Sequence, residues 1–181
     1  MLGAAAAGLP PHGVGHRTSS ISDRIRSLEG PSIRALALIW SNLTANPRTM
    51  EHRISQVLAK DEMCPAVGAG VVGVQCRKSD EGIVELLQMV DHAVTRNHVL
   101  AERTMLHALQ GHCNSPIAGH CHTTEDGQLS LIGMVFSRDG ATFAYAHEWD
   151  SVDRAYELGA YVAATLTRKD ARSIIAGTGL G

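Results

Sequence analysis

The clearest pattern in this chain lies in its second half, where apolar residues recur first at helical and then at strand spacing. Ile83, Leu86, Leu87 and Val90 fall three and four apart behind a capping Ser79, which predicts a helix. A second helix is expected from about Arg96 to Gln110, with Val99, Leu106 and Leu109 on one face and Gly111 as its stop. Three β-rich runs follow, 118–123, 129–136 and 142–147, parted by Asp126-Gly127 and Asp139-Gly140, both strong hairpin signals. Asp150 or Ser151 then caps a last helix with Val152, Ala155, Gly159, Val162 and Leu166 on its inner side. This order defines an α+β domain, a three-stranded antiparallel sheet packed with about three helices.

The first half is less regular. Residues 1–20 are rich in Gly, Pro, Ala and Ser, and Leu9-Pro10-Pro11-His12-Gly13 cannot continue a helix. Short helices are expected over 21–28 and 49–58, and 33–40 reads as a strand or a buried helix. From Pro65 to Cys76 a glycine turn at Gly68, Ala69 and Gly70 leads into a β-branched run, so loop followed by strand is predicted. No Lys-Ser/Thr follows these glycines at the spacing a phosphate loop requires, which leaves a tight turn beside a ligand cleft.

Composition narrows the classes of function. With 44% hydrophobic and 19% charged residues the chain is not disordered throughout. A net charge of −2 without a long Lys/Arg run argues against nucleic acid or an anionic membrane as partner and for a small-molecule ligand. No apolar run approaches the roughly 20 residues of a membrane helix, and residues 1–9 lack a basic leader. A cytoplasmic protein is expected, with Cys64, Cys76, Cys113 and Cys121 as reduced thiols.

Cys113 follows a helix C-terminus, where the dipole does not favour a thiolate, so the adjacent His112 is the residue placed to activate it. His112, Cys113, His120, Cys121 and His122 form the densest His/Cys group, but their spacing fits no common zinc motif and no metal is expected. On a strand, His120 and His122 would share one face and Cys121 the other. Glu102 and Arg103 read as an ion pair or cap.

Several motifs resemble one family in order and spacing. They are Asp91-His92 with Thr95, Ala101-Glu102-Arg103, the loop Gly111-His112-Cys113-Asn114-Ser115-Pro116-Ile117-Ala118, Asp126-Gly127-Gln128-Leu129, and the closing helix. Glu62-Met63-Cys64-Pro65-Ala66-Val67-Gly68-Ala69-Gly70 is similar to its "EEM-x-PAVGQG" segment, with Ala69 in place of glutamine. The family is porphobilinogen deaminase, also called hydroxymethylbilane synthase. The resemblance implies that Cys113 is the site where a dipyrromethane cofactor is carried through a thioether, and that residues 1–78 are a reduced α/β remnant of the family's second domain ahead of a cysteine-loop domain at 79–181. It also makes Arg17, Ser19, Ser20, Trp40, Gly68, Ala69 and Gly70 the substrate-binding candidates.

Departures from the family pattern shape the functional expectation. Thr18-Ser19-Ser20 continues with Ile21, Ser22 and Asp23 where the family has "TSSLRR", Trp40 replaces an arginine of "IRGNV", and His112 stands where a second glycine is usual. A first domain before Leu9 is not expected. Carboxylate-rich pyrroles need cationic partners that Ser, Asp and Trp do not supply, so standard hydroxymethylbilane synthesis by this chain alone is not expected. The leading expectation is a repurposed small-molecule enzyme, with specialised metabolism as its setting and no cofactor, using Cys113 and His112. The first alternative is a partial hydroxymethylbilane synthase subunit holding dipyrromethane on Cys113, completed by a chain supplying the missing domain. The second is a non-catalytic binding or scaffold module. Self-association as a homo-oligomer is a further expectation, because a shortened core exposes apolar surface.

Overall fold

The computed structural model describes residues 54–60, 63–112 and 114–179. The chain divides into two compact units, Met1–Met63 and Cys64–Gly181, and every described helix and strand belongs to the second. The elements are α1 (Glu81–Gln88), α2 (Ala93–Ala108), β1 (Ile117–Thr123), β2 (Leu129–Phe136), β3 (Phe143–Asp150), α3 (Ala155–Arg168) and α4 (Ala171–Gly177). The three strands form an antiparallel sheet in the order β1-β2-β3, so the fold is α+β. The helix expected over 21–28 and the strand or helix expected over 33–40 lie outside the described residues, whereas of the helix expected over 49–58 residues 54–58 are described and are not helical.

Strand alternation sets the layers. Ile117, Cys121, Leu129, Leu131, Val135, Ala144 and Ala146 join Ala101, Met105, Leu109, Leu158, Val162 and Leu166 of α2 and α3 in one buried cluster. A row of small residues crosses the sheet, Gly119 opposite Gly133 opposite Ala146. A Cβ on Gly133 would meet Met105 Sδ at 2.5 Å and Val162 Cγ1 at 2.8 Å, so this row is what lets the helices lie close on the strands. The helices themselves touch at Gly159, where a Cβ would collide with the Ala101 carbonyl oxygen.

Both hairpins turn where Asp-Gly pairs predicted them, with Gly127 at φ +82° and Gly140 at φ +70°. The helix boundaries differ in instructive ways. Asp80, not Ser79, caps α1, its carboxylate accepting from the Ile83 amide at 3.3 Å. His92 caps α2 through Nδ1, so the helix starts at Ala93, three residues ahead of the expected start. The left-handed residue after α2 is Gln110 (φ +59°), whereas Gly111 is glycine because a Cβ there would approach Leu106 Cδ1 at 2.6 Å. Because β3 continues to Asp150, α3 starts at Ala155, and the Asp150 carboxylate accepts from the Ser151 amide instead of capping a helix.

The expected strand after the glycine turn does not form. Among the described residues, the backbone groups of 72–76 make no backbone hydrogen bond, and α1 buries none of its residues. Both patterns are present in sequence, but among the described residues the run has no strand partner and the helix buries no residue.

Candidate functional site around the cysteine loop

The loop bearing Cys113 is framed on both sides. Gly111 donates back to the Leu106 carbonyl at 2.9 Å, closing α2, and Ile117 donates to the Ser115 carbonyl at 2.8 Å, opening β1. Between them His112 and Ser115 form a turn, the Ser115 amide donating to the His112 carbonyl at 3.0 Å and the His112 amide to Ser115 Oγ at 2.9 Å. The Asn114 amide donates to His112 Nδ1 at 3.3 Å, which leaves Nε2 as the ring nitrogen available to a ligand. His112 and Asn114 are both exposed, so the loop borders solvent. Cys113 itself, with Arg17, Ser19, Ser20 and Trp40, lies outside the described residues.

The glycine turn is fixed to the outer edge of β1. Ala66 bridges Ala118, and the Gly119 amide donates to the Pro65 carbonyl at 2.9 Å. Gly68 and Gly70 adopt φ +70° and +80°, and a Cβ on Gly68 would meet nothing, so backbone conformation rather than crowding demands glycine there. Ala69 donates to the Ala66 carbonyl inside the same turn. The turn and the cysteine loop are thus both tied to β1, the turn at Ala118 and Gly119 and the loop at Ile117.

Glu102 holds this arrangement together. It is 6% exposed, and its two oxygens accept from the Gly68 and Cys121 amides, each at 2.7 Å. His120 Nδ1 lies 3.9 Å from the same carboxylate. Burial pushes the Glu102 carboxyl above the usual range, and the two amide bonds pull against that rise. Cys64 and Cys121 are each pushed up to about 12, by burial first and by the Glu102 charge second, so both are held as thiols near neutrality. Arg103 is exposed. The expected Glu102–Arg103 pair or cap is replaced by a carboxylate joining two segments distant in sequence, which no local pattern announces.

The histidines take the faces that alternation predicts. His120 and His122 stack at 5.8 Å on the sheet face opposite the helices, where His147 packs on Trp149 at 4.0 Å and shares a 2.7 Å hydrogen bond with Ser130. Burial, then the nearby His122, lowers His147. Among the described residues no three His, Cys, Asp or Glu side chains converge as a metal site. An open groove of about 390 Å³ lies between the end of α2 and α3, lined by Ala108, Ala163, Thr167, Arg168 and Arg172 among others. Sequence reading did not single out these two guanidinium groups, which sit at the end of α3 and the start of α4.

A helix, cysteine loop and three-stranded sheet tied to a glycine turn describe a class, and comparison with known proteins supplies the family. The sequence model of the porphobilinogen deaminase C-terminal domain matches residues 97–168, and that of the porphobilinogen deaminase dipyrromethane cofactor binding domain matches 13–85. Porphobilinogen deaminase 2 of Streptomyces coelicolor is 42% identical over 154 residues, covering 85% of this chain and 49% of the relative. Porphobilinogen deaminase of Desulforudis audaxviator is 38% identical over 160 residues, covering 87% and 50%. The chain belongs to the porphobilinogen deaminase family, and it spans about half the length of the curated relatives it matches. The likeness extends well upstream of residue 63, where the motifs alone were patchy. Among the described residues no helix is long and apolar enough to cross a membrane.

Proposed function

We propose that this chain is the cofactor-anchoring part of a porphobilinogen deaminase activity in tetrapyrrole biosynthesis. Cys113 carries dipyrromethane through a thioether, and the active-site groups this chain does not carry come from the part of the family's length that it does not span. The observation that carries the reading is the 42% identity to a deaminase over 85% of the chain, a span long enough to include most of the frame around Cys113. The framed, solvent-bordering loop fits a bulky adduct, because His112 and Asn114 on either side are exposed and fixed by backbone bonds. When bound, the cofactor supplies the pyrrole on which further units are condensed.

In this reading the chain's own residues bind and orient. His112, whose Nδ1 accepts from the Asn114 amide, presents Nε2–H as a hydrogen-bond donor beside the anchor, and Glu102 positions the turn of Gly68, Ala69 and Gly70 against β1. Arg17, Ser19, Ser20 and Trp40 remain the substrate-contact candidates from the resemblance.

A second reading, a repurposed small-molecule enzyme, is favoured by particular residues: Ser22 and Asp23 in place of arginines, Trp40, and His112 in place of glycine. Peptide mapping of Cys113 in protein from its native host separates the two. A dipyrromethane-sized mass on Cys113 is the expected result. A bare thiol in protein that retains tetrapyrrole-independent activity, abolished by Cys113→Ser, would favour the second reading, and full function of Cys113→Ser would leave only a scaffold.

A further inference from the structure

The groove between the end of α2 and α3 is built from small side chains and two guanidinium groups. Its volume, about 390 Å³, suits one small organic molecule. Ala108 lines it from the last turn of α2, and Ala160, Ala163 and Ala164 line it from α3. These methyl groups leave open an apolar trough that longer side chains would fill. Thr167 also borders it, but its hydroxyl is committed to the Ala163 carbonyl at 2.8 Å. Polar recognition therefore falls to Arg168, the last residue of α3, and Arg172, in the first turn of α4.

Among the described residues neither guanidinium forms an ion pair, although Asp170 lies between them in sequence. Arg168 donates from Nη2 to Thr165 Oγ1 at 2.8 Å and lies 6.0 Å over the Tyr161 ring, contacts that hold its guanidinium against α3. A cation at the end of α3 complements the helix dipole, which accounts for Arg168 but not for Arg172, since the first turn of a helix disfavours a cation. A guanidinium fork matches a carboxylate. Two such forks beside an apolar trough select a compact ligand with an apolar body and two carboxylates.

We propose that this groove is a second, regulatory binding site for a pyrrole bearing two carboxylate arms, one carboxylate on each arginine and the ring against the alanines. The choice of a pyrrole rests on the proposed function, whereas the demand for a dicarboxylate comes from the groove itself. No acid, base or nucleophile lines the groove, so its role is binding and not chemistry. It reaches the cysteine loop through α2. Ala108 is the last residue of that helix, and Gly111, three residues on, donates to the Leu106 carbonyl at 2.9 Å where the loop bearing Cys113 begins. A ligand on Ala108 therefore bears on the helix end from which that loop extends.

The test is amide chemical-shift mapping of the isotope-labelled full chain titrated with porphobilinogen, in the Cys113→Ser variant so that nothing is captured covalently. Saturable shifts are expected at Ala108, Ala164 and Arg172, extending to Gly111 and His112. Arg168→Gln and Arg172→Gln, both at exposed positions, should each weaken binding about tenfold, and together about a hundredfold. Ala164→Leu, also exposed, should fill the groove and abolish the shifts. Aminomethylpyrrole, which has the ring and amine without the carboxylates, should not bind. No saturable shift at the groove overturns the proposal, as does binding indifferent to the two glutamines or equal binding of aminomethylpyrrole. Shifts confined to 66–70 and 112–117 would overturn the groove site while leaving the proposed function standing. A saturable groove site in a protein whose native Cys113 is a bare thiol would overturn the anchor reading alone.

Discussion

Leu158 and Leu86 each sit on the apolar stripe of an amphipathic helix, yet Leu158 is 1% exposed and Leu86 is 60% exposed. The first belongs to the layer formed by α2, α3 and the sheet, where a row of small residues lets helices and strands close on one another. The second belongs to α1, which buries none of its residues among those described. The same hydrophobic periodicity therefore produces the fold in one region and an unfilled surface in the other. A stripe predicts a helix, but it does not name the partner that covers it.

Breaking the packed side should have the largest effect. Leu158→Ala is expected to destabilise by about 4 kcal/mol, transfer and cavity terms together, whereas Leu86→Ala should change the stability of the chain alone by less than about 0.5 kcal/mol. Urea titrations of both variants check the contrast, and similar losses at the two positions would erase it. Gly159→Ala should lose about 3 kcal/mol, because its Cβ meets the Ala101 backbone and approaches Thr104 Cβ at 2.8 Å. Gly133→Ala, which meets only side-chain atoms, should lose about 1 kcal/mol.

Glu102→Gln should lose about 2 kcal/mol near neutral pH, because one carboxylate acceptor becomes an amide donor facing a backbone N–H. The pH dependence has a definite sign. Burial raises this carboxyl above its ordinary value of 4.5, so the folded protein holds the proton to higher pH than the unfolded chain. The stability linked to that proton is fully present below the unfolded value and is lost as pH rises through the raised folded one. The gap between the parent protein and Glu102→Gln should be wider at pH 5 than at pH 7, and a gap that widens with rising pH would contradict the assignment. Smallest in energy is the thiol chemistry. Cys64 and Cys121, pushed up to about 12, should resist alkylation at pH 8 in the folded chain and react once urea unfolds it, as read by mass spectrometry.

Much of the packed layer was legible in the sequence because its signals are local. Asp126-Gly127 and Asp139-Gly140 demand left-handed glycines, and the alternation between them assigns Cys121 to the core and His120 and His122 to the other face. Helix α4, seven residues long, carries too little periodicity to be seen. The role of Glu102 was illegible for a different reason, since its amide partners lie 34 and 19 residues away in sequence. The strand expected after Gly70 finds no ladder partner among the described residues, because β-branched residues state a preference for a sheet without providing one. Of the candidate site, the loop flanking Cys113 and the glycine turn share β1, an anchorage made between segments distant in sequence that no local pattern announces.

Stability resides in the α2, sheet and α3 layer, while 71–90 stands outside it. Hydrogen exchange of the isolated full chain, resolved by peptide, tests it most directly. The amides of α2 and β2 should exchange about a thousandfold or more slowly than those of 72–76, the former requiring global unfolding and the latter none. Protection of 72–76 equal to that of β2 in the chain alone would contradict the account, because that run would then already have its partner.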